Sequence, residues 1–142
     1  VMDDLNTAQQ CAATMLANDR SSQAMGISIE IVEPGKAVAR MRVRDDMLNG
    51  FSVIHGGLTF ALADTAFAFA CNSYNQQSFA AAAQIEFLRP AVAADVLTAT
   101  ASEDYRGRRS GYYTVEVRNQ RDELVALFRG RSASSSKPVI QP

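Results

Sequence analysis

Hydrophobic and polar positions follow a helical period at the start of the chain and an alternating period soon afterwards. Residues 3–19 carry apolar side chains three or four positions apart, which predicts an N-terminal helix. Residues 27–32 and 36–43 alternate between apolar and polar side chains on either side of a Pro34–Gly35 turn. This alternation predicts two strands joined as a β-hairpin.

A long apolar run, Leu58–Cys71, follows a polar loop that ends in two consecutive glycines, Gly56 and Gly57. Alanine and phenylalanine recur throughout the run, which predicts a helix buried on most sides. The only charged residue in this run is Asp64. Burying an ionised carboxylate is costly unless it is paired or hydrogen-bonded. Asp64 is therefore either satisfied by a neighbouring hydroxyl or backbone N–H, or a reactive group that faces a pocket.

The remainder of the chain favours strands. Residues 78–88 are rich in alanine, and alanine alone would favour a helix, but the end of this segment alternates and stops at Arg89-Pro90. Further alternating segments predict strands at about 95–104, 111–119 and 124–132. We expect these four strands to be linked as consecutive antiparallel hairpins. The Ser- and Pro-rich tail, about 133–142, is expected to fray.

The predicted order is thus one helix, two strands, a long buried helix and four strands. The buried helix needs a large apolar surface to cover it, and the sheet is the one available. The fold class is therefore α+β, with an antiparallel sheet wrapped around a long central helix. This arrangement is typical of the hot-dog fold.

Composition narrows the classes of function. The 142 residues are 47% hydrophobic with a formal net charge of −1, which is typical of one globular domain over residues 1–142 and gives no signal for nucleic acid or a membrane surface. The run around Asp64 is too short for a membrane span. Cys11 and Cys71 lie in apolar surroundings, so we expect buried thiols in the cytoplasm, not a disulfide. With His55 as the only histidine, no metal site is expected.

Five short motifs resemble those of the hot-dog acyl-CoA thioesterase superfamily, and more closely the phenylacetate-degradation (PaaI-type) thioesterases. The motifs are Leu48-Asn49-Gly50, His55-Gly56-Gly57, Ala63-Asp64-Thr65-Ala66, Ala70-Cys71-Asn72-Ser73 and Phe87-Leu88-Arg89-Pro90. The resemblance covers about residues 26–132. It implies hydrolysis of an aryl-acetyl-CoA, such as phenylacetyl- or hydroxyphenylacetyl-CoA, with no cofactor, because coenzyme A is part of the substrate.

Thioester hydrolysis needs a donor for the carbonyl oxygen and a group that attacks the carbonyl carbon or activates water. Gly56 and Gly57 leave their N–H groups accessible at a helix N-terminus, and Asp64 supplies the carboxylate. Asp64 lies roughly 12 Å beyond Gly56 along a helix, at 1.5 Å per residue. Either the mechanism is wrong or two subunits share each site. The resemblance implies the second, with antiparallel helices in a homo-oligomer, at least a dimer and by expectation a tetramer.

Three further residues have two interpretations each. Asn49 could orient water or the substrate carbonyl, or could cap a turn with Gly50. His55 could polarise the site, but a lone loop histidine more often orders its loop through backbone hydrogen bonds. Thr65 could reach the site, or its hydroxyl could bond a preceding backbone carbonyl.

The substrate-binding candidates are one aromatic ring and three arginines. Phe60 could line an acyl pocket, although core packing is the simpler interpretation. Arginine pairs well with phosphate, and coenzyme A is polyanionic, so Arg89, Arg106 and Arg108 are candidates for its nucleotide end. Two alternative functions share the fold. A hydratase or dehydratase would use His55 with Asp64 on the acyl chain, and a non-enzymatic acyl-CoA sensor would not need Asp64.

Overall fold

A computed structural model describes residues 3–141, so residues 1, 2 and 142 of the predicted domain lie outside the described part. The helices are α1 (Asp4–Asn18), α2 (Arg20–Ala24) and α3 (Gly56–Cys71), with a short 3₁₀ helix at Asp45–Met47. The strands are β1 (Ser28–Glu33), β2 (Lys36–Arg42), β3 (Ser78–Phe87), β4 (Val96–Arg106), β5 (Ser110–Arg118) and β6 (Leu124–Ser134). The predicted N-terminal helix, β-hairpin, central helix and alanine-rich strand are all confirmed.

All six strands form one antiparallel sheet in the order β1-β2-β4-β5-β6-β3. The expectation of four consecutive hairpins is therefore wrong for β3, which pairs with β6 instead of β4. The reason is that β2 occupies the free side of β4, from Lys36 opposite Ser102 to Arg42 opposite Val96. The free edges left by the other five strands are β1 and β6, and β3 pairs with β6.

The core lies between α3 and the concave face of the sheet. α3 packs mainly against β2, β4 and β5. The alternation predicted for β5 is confirmed, since Tyr113, Val115 and Val117 are buried. Phe67 of α3 stacks edge-on against Tyr113 and approaches Gly130 so closely that a Cβ there would lie 2.9 Å from the ring. The sheet therefore fixes the position of α3, which carries the candidate chemistry.

The tail differs from the expectation of fraying. β6 continues to Ser134, and the Gln77 backbone then exchanges hydrogen bonds with Ser135 N–H and the Lys137 carbonyl, both at 2.8 Å. The side chain of Asn75 accepts from two further backbone N–H groups, at residues 139 and 140. These bonds satisfy backbone groups that fraying would leave to water, so the expectation is corrected for residues 133–141.

Candidate active site

The two glycines at the N-terminus of α3 differ in whether their N–H group has a hydrogen-bond partner. His55 caps the helix, and its Nδ1 accepts a hydrogen bond from Gly57 N–H at 3.1 Å. The N–H of Gly56 has no hydrogen-bond partner among residues 3–141. The expectation of two free donors is therefore corrected, because His55 already uses one of them. Gly56 supplies the free backbone donor at the positive end of the helix dipole.

Gly56 is also the point where α3 meets the end of β3. A Cβ on Gly56 would lie 3.2 Å from Cζ of Phe87, so the ring packs directly over the glycine. Ile54 N–H donates to the Ala91 carbonyl at 2.8 Å, which ties the segment after β3 to the loop before α3. Sequence reasoning used Phe87 only as part of a motif and missed this contact.

One stripe of α3 is left only partly covered by the sheet. Ala61, Asp64, Thr65 and Ala68 lie at helical spacing and are half-buried, whereas the residues on the opposite side of the helix are buried. Beside this stripe, the edge strand β3 is exposed along most of its length. Most side chains of the stripe and of β3 are small or apolar.

Asp64 has no compensating partner within the described residues. Burial raises the pKa of its carboxyl, and no hydrogen bond or ion pair opposes that shift. Every buried side-chain oxygen in residues 3–141 has a hydrogen-bond partner, so the oxygens of Asp64 are open to solvent. No hydroxyl or backbone N–H within residues 3–141 satisfies the Asp64 carboxylate, as the first interpretation of this residue would require. Its unpaired, partly desolvated carboxylate is suited to act as a base or nucleophile.

Three other candidates have side chains that are engaged within the protomer. Asn49 Oδ1 accepts from Phe51 N–H at 2.9 Å, which builds the turn before α3. The hydroxyl of Thr65 donates to the Ala61 carbonyl at 2.7 Å, as the alternative interpretation of this residue supposed. Phe60 is half-buried, and its ring stacks edge-on with Phe128 at 5.3 Å between centroids, so much of it belongs to the core.

The three candidate arginines lie at opposite ends of α3. Arg89 follows the Phe87 contact at the N-terminal end, where its Nη1 lies 3.3 Å from Glu123 Oε2. Arg106 stacks on the ring of Tyr74, just beyond the C-terminal end. Arg108 lines a cleft of about 380 Å³ at that same end, together with Arg109, Gln76 and Ser134–Ser136. A single protomer therefore does not bring Arg89 together with the other two.

Two further sequence expectations concern membrane spans and the two cysteines. No helix within residues 3–141 is long and apolar enough to cross a membrane. Cys11 and Cys71 are both buried free thiols, as the sequence predicts.

Comparison with known proteins identifies the class of the chain. The model of the thioesterase superfamily matches residues 51–126, which is more than half of the chain. The chain belongs to the thioesterase superfamily, and the predictions of a hot-dog fold and of a thioester hydrolase are confirmed.

The relatives are similar over nearly the whole chain. The acyl-coenzyme A thioesterase PaaI of Escherichia coli (strain K12) is 49% identical over 125 residues, 88% of this chain and 89% of that protein. A structure of the E. coli PaaI protein from the phenylacetic acid degradation operon has a TM-score of 0.94 at 45% identity, covering 96% of this chain and 99% of that one. A mutant of the phenylacetic acid degradation protein PaaI from Thermus thermophilus has a TM-score of 0.78 at 36% identity, covering 81% and 98%.

Proposed function

We propose that this thioesterase hydrolyses acyl-CoA thioesters, with an aryl-acetyl group such as phenylacetyl or hydroxyphenylacetyl as the acyl part. The observation that carries the proposal is the combination of a free Gly56 N–H at a helix N-terminus with an unpartnered Asp64 carboxylate on the same helix. The names of the E. coli and T. thermophilus relatives support the choice of acyl group. The proposed reaction takes place in the cytoplasm and uses no metal or redox cofactor.

In the proposed reaction, the thioester carbonyl oxygen accepts a hydrogen bond from Gly56 N–H, and the α3 dipole stabilises the negative charge that develops there. Asp64 either removes a proton from the attacking water or attacks the carbonyl carbon itself. The new carbon–oxygen bond replaces the carbon–sulfur bond. Where Asp64 attacks, the acyl group is first held on its carboxylate as an anhydride, and water then cleaves this anhydride to release the free acid and restore Asp64. Coenzyme A leaves as a thiolate, which takes up a proton.

The remaining candidates act by positioning in this scheme. His55 fixes the start of α3 through Gly57 N–H. Asn49 uses Oδ1 to hold its turn, which leaves its amide N–H₂ as a donor for the water or the carbonyl. Thr65 holds Ala61 and thereby fixes the backbone next to Asp64.

The separation of the two reactive groups supports a site shared between subunits. Eight residues of α3 correspond to roughly 12 Å, too far for Gly56 and Asp64 of one protomer to act on one carbonyl. An antiparallel partner helix would bring its own Asp64 next to Gly56, twice per dimer by symmetry. The half-buried stripe of α3 and the exposed strand β3 offer the apolar surface for this contact. We therefore propose a homodimer as the smallest active unit, with a tetramer as the expected assembly.

Mixing two inactive variants tests the shared site. Asp64→Ala subunits keep Gly56, and Gly56→Pro subunits keep Asp64, so a mixed dimer contains one complete site out of two. If half of the dimers are mixed at equilibrium, activity should return to about a quarter of wild type. Thiol release after subunit exchange measures it, with each variant alone as the control. Absence of recovery, while native mass spectrometry detects mixed dimers, would contradict a shared site.

The arginines complete the substrate model. Arg89 lies near Gly56, whereas Arg106 and Arg108 lie near the C-terminal end of the helix that carries Asp64. In the shared site, the two ends of α3 come from different subunits. We propose that these cations bind the phosphates of coenzyme A, because guanidinium groups match phosphate oxygens in a bidentate manner.

A panel of acyl-CoA substrates tests the proposed function. Release of free thiol should be fastest for phenylacetyl- and hydroxyphenylacetyl-CoA, with acetyl-CoA and long straight-chain acyl-CoAs as matched comparisons. An enoyl-CoA in the same panel tests the hydratase alternative, because hydration consumes the double bond without releasing thiol. Hydrolysis confined to thioesters that lack coenzyme A would refute the assigned substrate class.

A further inference from the structure

Arg106 is held by an aromatic ring instead of a carboxylate. Its guanidinium carbon lies 3.7 Å from the centroid of the Tyr74 ring, the arrangement of a cation–π contact. Arg106 is exposed and takes part in no ion pair within residues 3–141. Stacking uses the face of the guanidinium and leaves its N–H edges directed away from the ring. These edges are the part of arginine that binds phosphate oxygens.

The ring of Tyr74 is itself held in place. Its hydroxyl donates to the carboxylate of Glu103, with distances of 3.0 and 3.1 Å to the two oxygens. Glu103 also accepts from the hydroxyl of the buried Tyr113, at 2.9 Å. Burial and the bond to Glu103 raise the pKa of Tyr74 to about 12, so the phenol stays protonated as the donor. The carboxylate is therefore fixed by two phenols and directs Tyr74 towards Arg106.

The β1–β2 turn closes the remaining space around this ring. A Cβ on Gly35 would lie 2.9 Å from the hydroxyl of Tyr74 and 3.0 Å from Cβ of Glu103. Gly35 N–H donates to the hydroxyl of Ser73, the residue before Tyr74, at 2.9 Å. Contacts on both sides thus restrict the rotation of Tyr74.

Arg106 ends β4 and lies next to the C-terminal end of α3, and this position matches the proposed shared site. Asp64 and Asn72, near the Arg106 end of the same helix, are roughly 12 Å apart along the axis. The corresponding end of the helix that supplies Gly56 lies roughly 24 Å from that glycine. The phosphopantetheine arm of coenzyme A separates the reacting thioester from the phosphates. The Arg106 and Arg108 side chains that meet phosphates near the site therefore belong to the subunit that supplies Asp64, not to the subunit that supplies Gly56.

We propose that Tyr74, fixed by Glu103, is a positioning residue that presents the guanidinium of Arg106 to a phosphate group of coenzyme A. The inference rests on the proposed function, because it takes coenzyme A as the source of the phosphate. Exposed arginine side chains lose rotational freedom when they bind a ligand. A ring that already holds the guanidinium in one orientation reduces that loss, so Tyr74 should strengthen phosphate binding without touching the phosphate.

The test is the affinity of the full-length protein for coenzyme A and for pantetheine, measured by calorimetry. Tyr74→Leu removes the ring face and should weaken coenzyme A binding about 2- to 5-fold without changing pantetheine binding. Tyr74→Phe keeps the ring and should stay closer to wild type. Arg106→Ala and Arg108→Ala remove the phosphate contacts themselves and should weaken coenzyme A binding about tenfold.

Two controls separate positioning from general damage. Tyr105→Leu replaces an exposed tyrosine of β4, the strand that also carries Arg106, and the Tyr105 ring packs on Tyr112. This variant should change the affinity for neither coenzyme A nor pantetheine. In the Arg106→Ala background, Tyr74→Leu should have no further effect on coenzyme A binding. A Tyr74→Leu effect that persists without Arg106, equals the effect on pantetheine, or is absent would overturn the inference. Unchanged coenzyme A binding in Arg106→Ala would instead overturn the phosphate assignment, and hydrolysis of the acyl-CoA panel is a separate measurement.

Discussion

Replacing Asp64 by asparagine should lower kcat for acyl-CoA hydrolysis by about 100-fold or more, while the protein stays folded and oligomeric. Asparagine keeps the size of the side chain but can neither accept a proton from water nor attack the carbonyl, and losing a positioned base typically has an effect of this scale. Binding of coenzyme A should persist, since the arginines and Gly56 N–H are intact. Steady-state thiol release gives kcat, and calorimetry gives the affinity.

The same substitution should raise thermal stability at neutral pH. Burial raises the pKa of the Asp64 carboxyl, so the folded protein binds this proton more tightly than the unfolded chain does. The protonated carboxyl therefore contributes its full stability below the ordinary aspartate pKa, and this contribution is lost as the pH rises through the raised pKa. Asparagine has no carboxyl to ionise, so the variant does not lose stability in this way. The melting temperature of Asp64→Asn should exceed that of wild type at pH 7, and the difference should shrink in acid.

Asp95 offers a matched control, because the pKa of its carboxyl is lowered whereas that of Asp64 is raised. It is buried, accepts hydrogen bonds from Val92 N–H at 2.9 Å and Gln120 Nε2 at 2.8 Å, and these bonds help to lower the pKa of its carboxyl. Asp95→Asn should lower the free energy of unfolding by about 1–2 kcal/mol and leave kcat near wild type. A well-folded Asp64→Asn protein with near-normal kcat would refute the catalytic role of Asp64.

Local pattern predicted most of the elements. The alternation of β2 and β5 identified residues that are buried, such as Met41 and Val117. The isolated charge of Asp64 marked the one carboxylate on α3, whereas the shared site that its spacing from Gly56 indicates stays a prediction. In each case the signal lies within one element, where periodicity and helix geometry determine what faces the core.

Contacts between distant segments could not be predicted in this way. Pairing of β3 with β6 depends on which sheet edge is free after β2 has paired with β4, and no short stretch of sequence records it. The bond between Tyr74 and Glu103 joins residues 29 positions apart. The use of Gly57 N–H by His55 depends on the rotamer of the imidazole, so two adjacent glycines that are alike in the sequence differ in the structure.

Gly56→Pro should lower kcat by about 10²- to 10³-fold, the effect of removing one donor from an oxyanion-binding site. Proline lacks the N–H that Gly56 offers to the thioester carbonyl. Residue 56 is the first position of α3, where proline is favoured, and its φ is not positive. His55 has φ −62° and ψ 128°, a conformation suited to the residue before a proline. The helix should therefore form normally, as circular dichroism can verify.

Gly56→Ala separates loss of the donor from crowding. Both variants place a Cβ near Phe87, about 3.2 Å from Cζ, but alanine keeps the N–H. At this distance the Phe87 ring needs to shift by only a few tenths of an ångström, so we expect kcat of Gly56→Ala within about tenfold of wild type. Equal losses in both variants would attribute the effect to crowding at Phe87. A much larger loss for proline, with coenzyme A affinity unchanged, supports Gly56 N–H as the donor that stabilises the transition state, because proline replaces the N–H that alanine keeps by the N–Cδ bond of its ring.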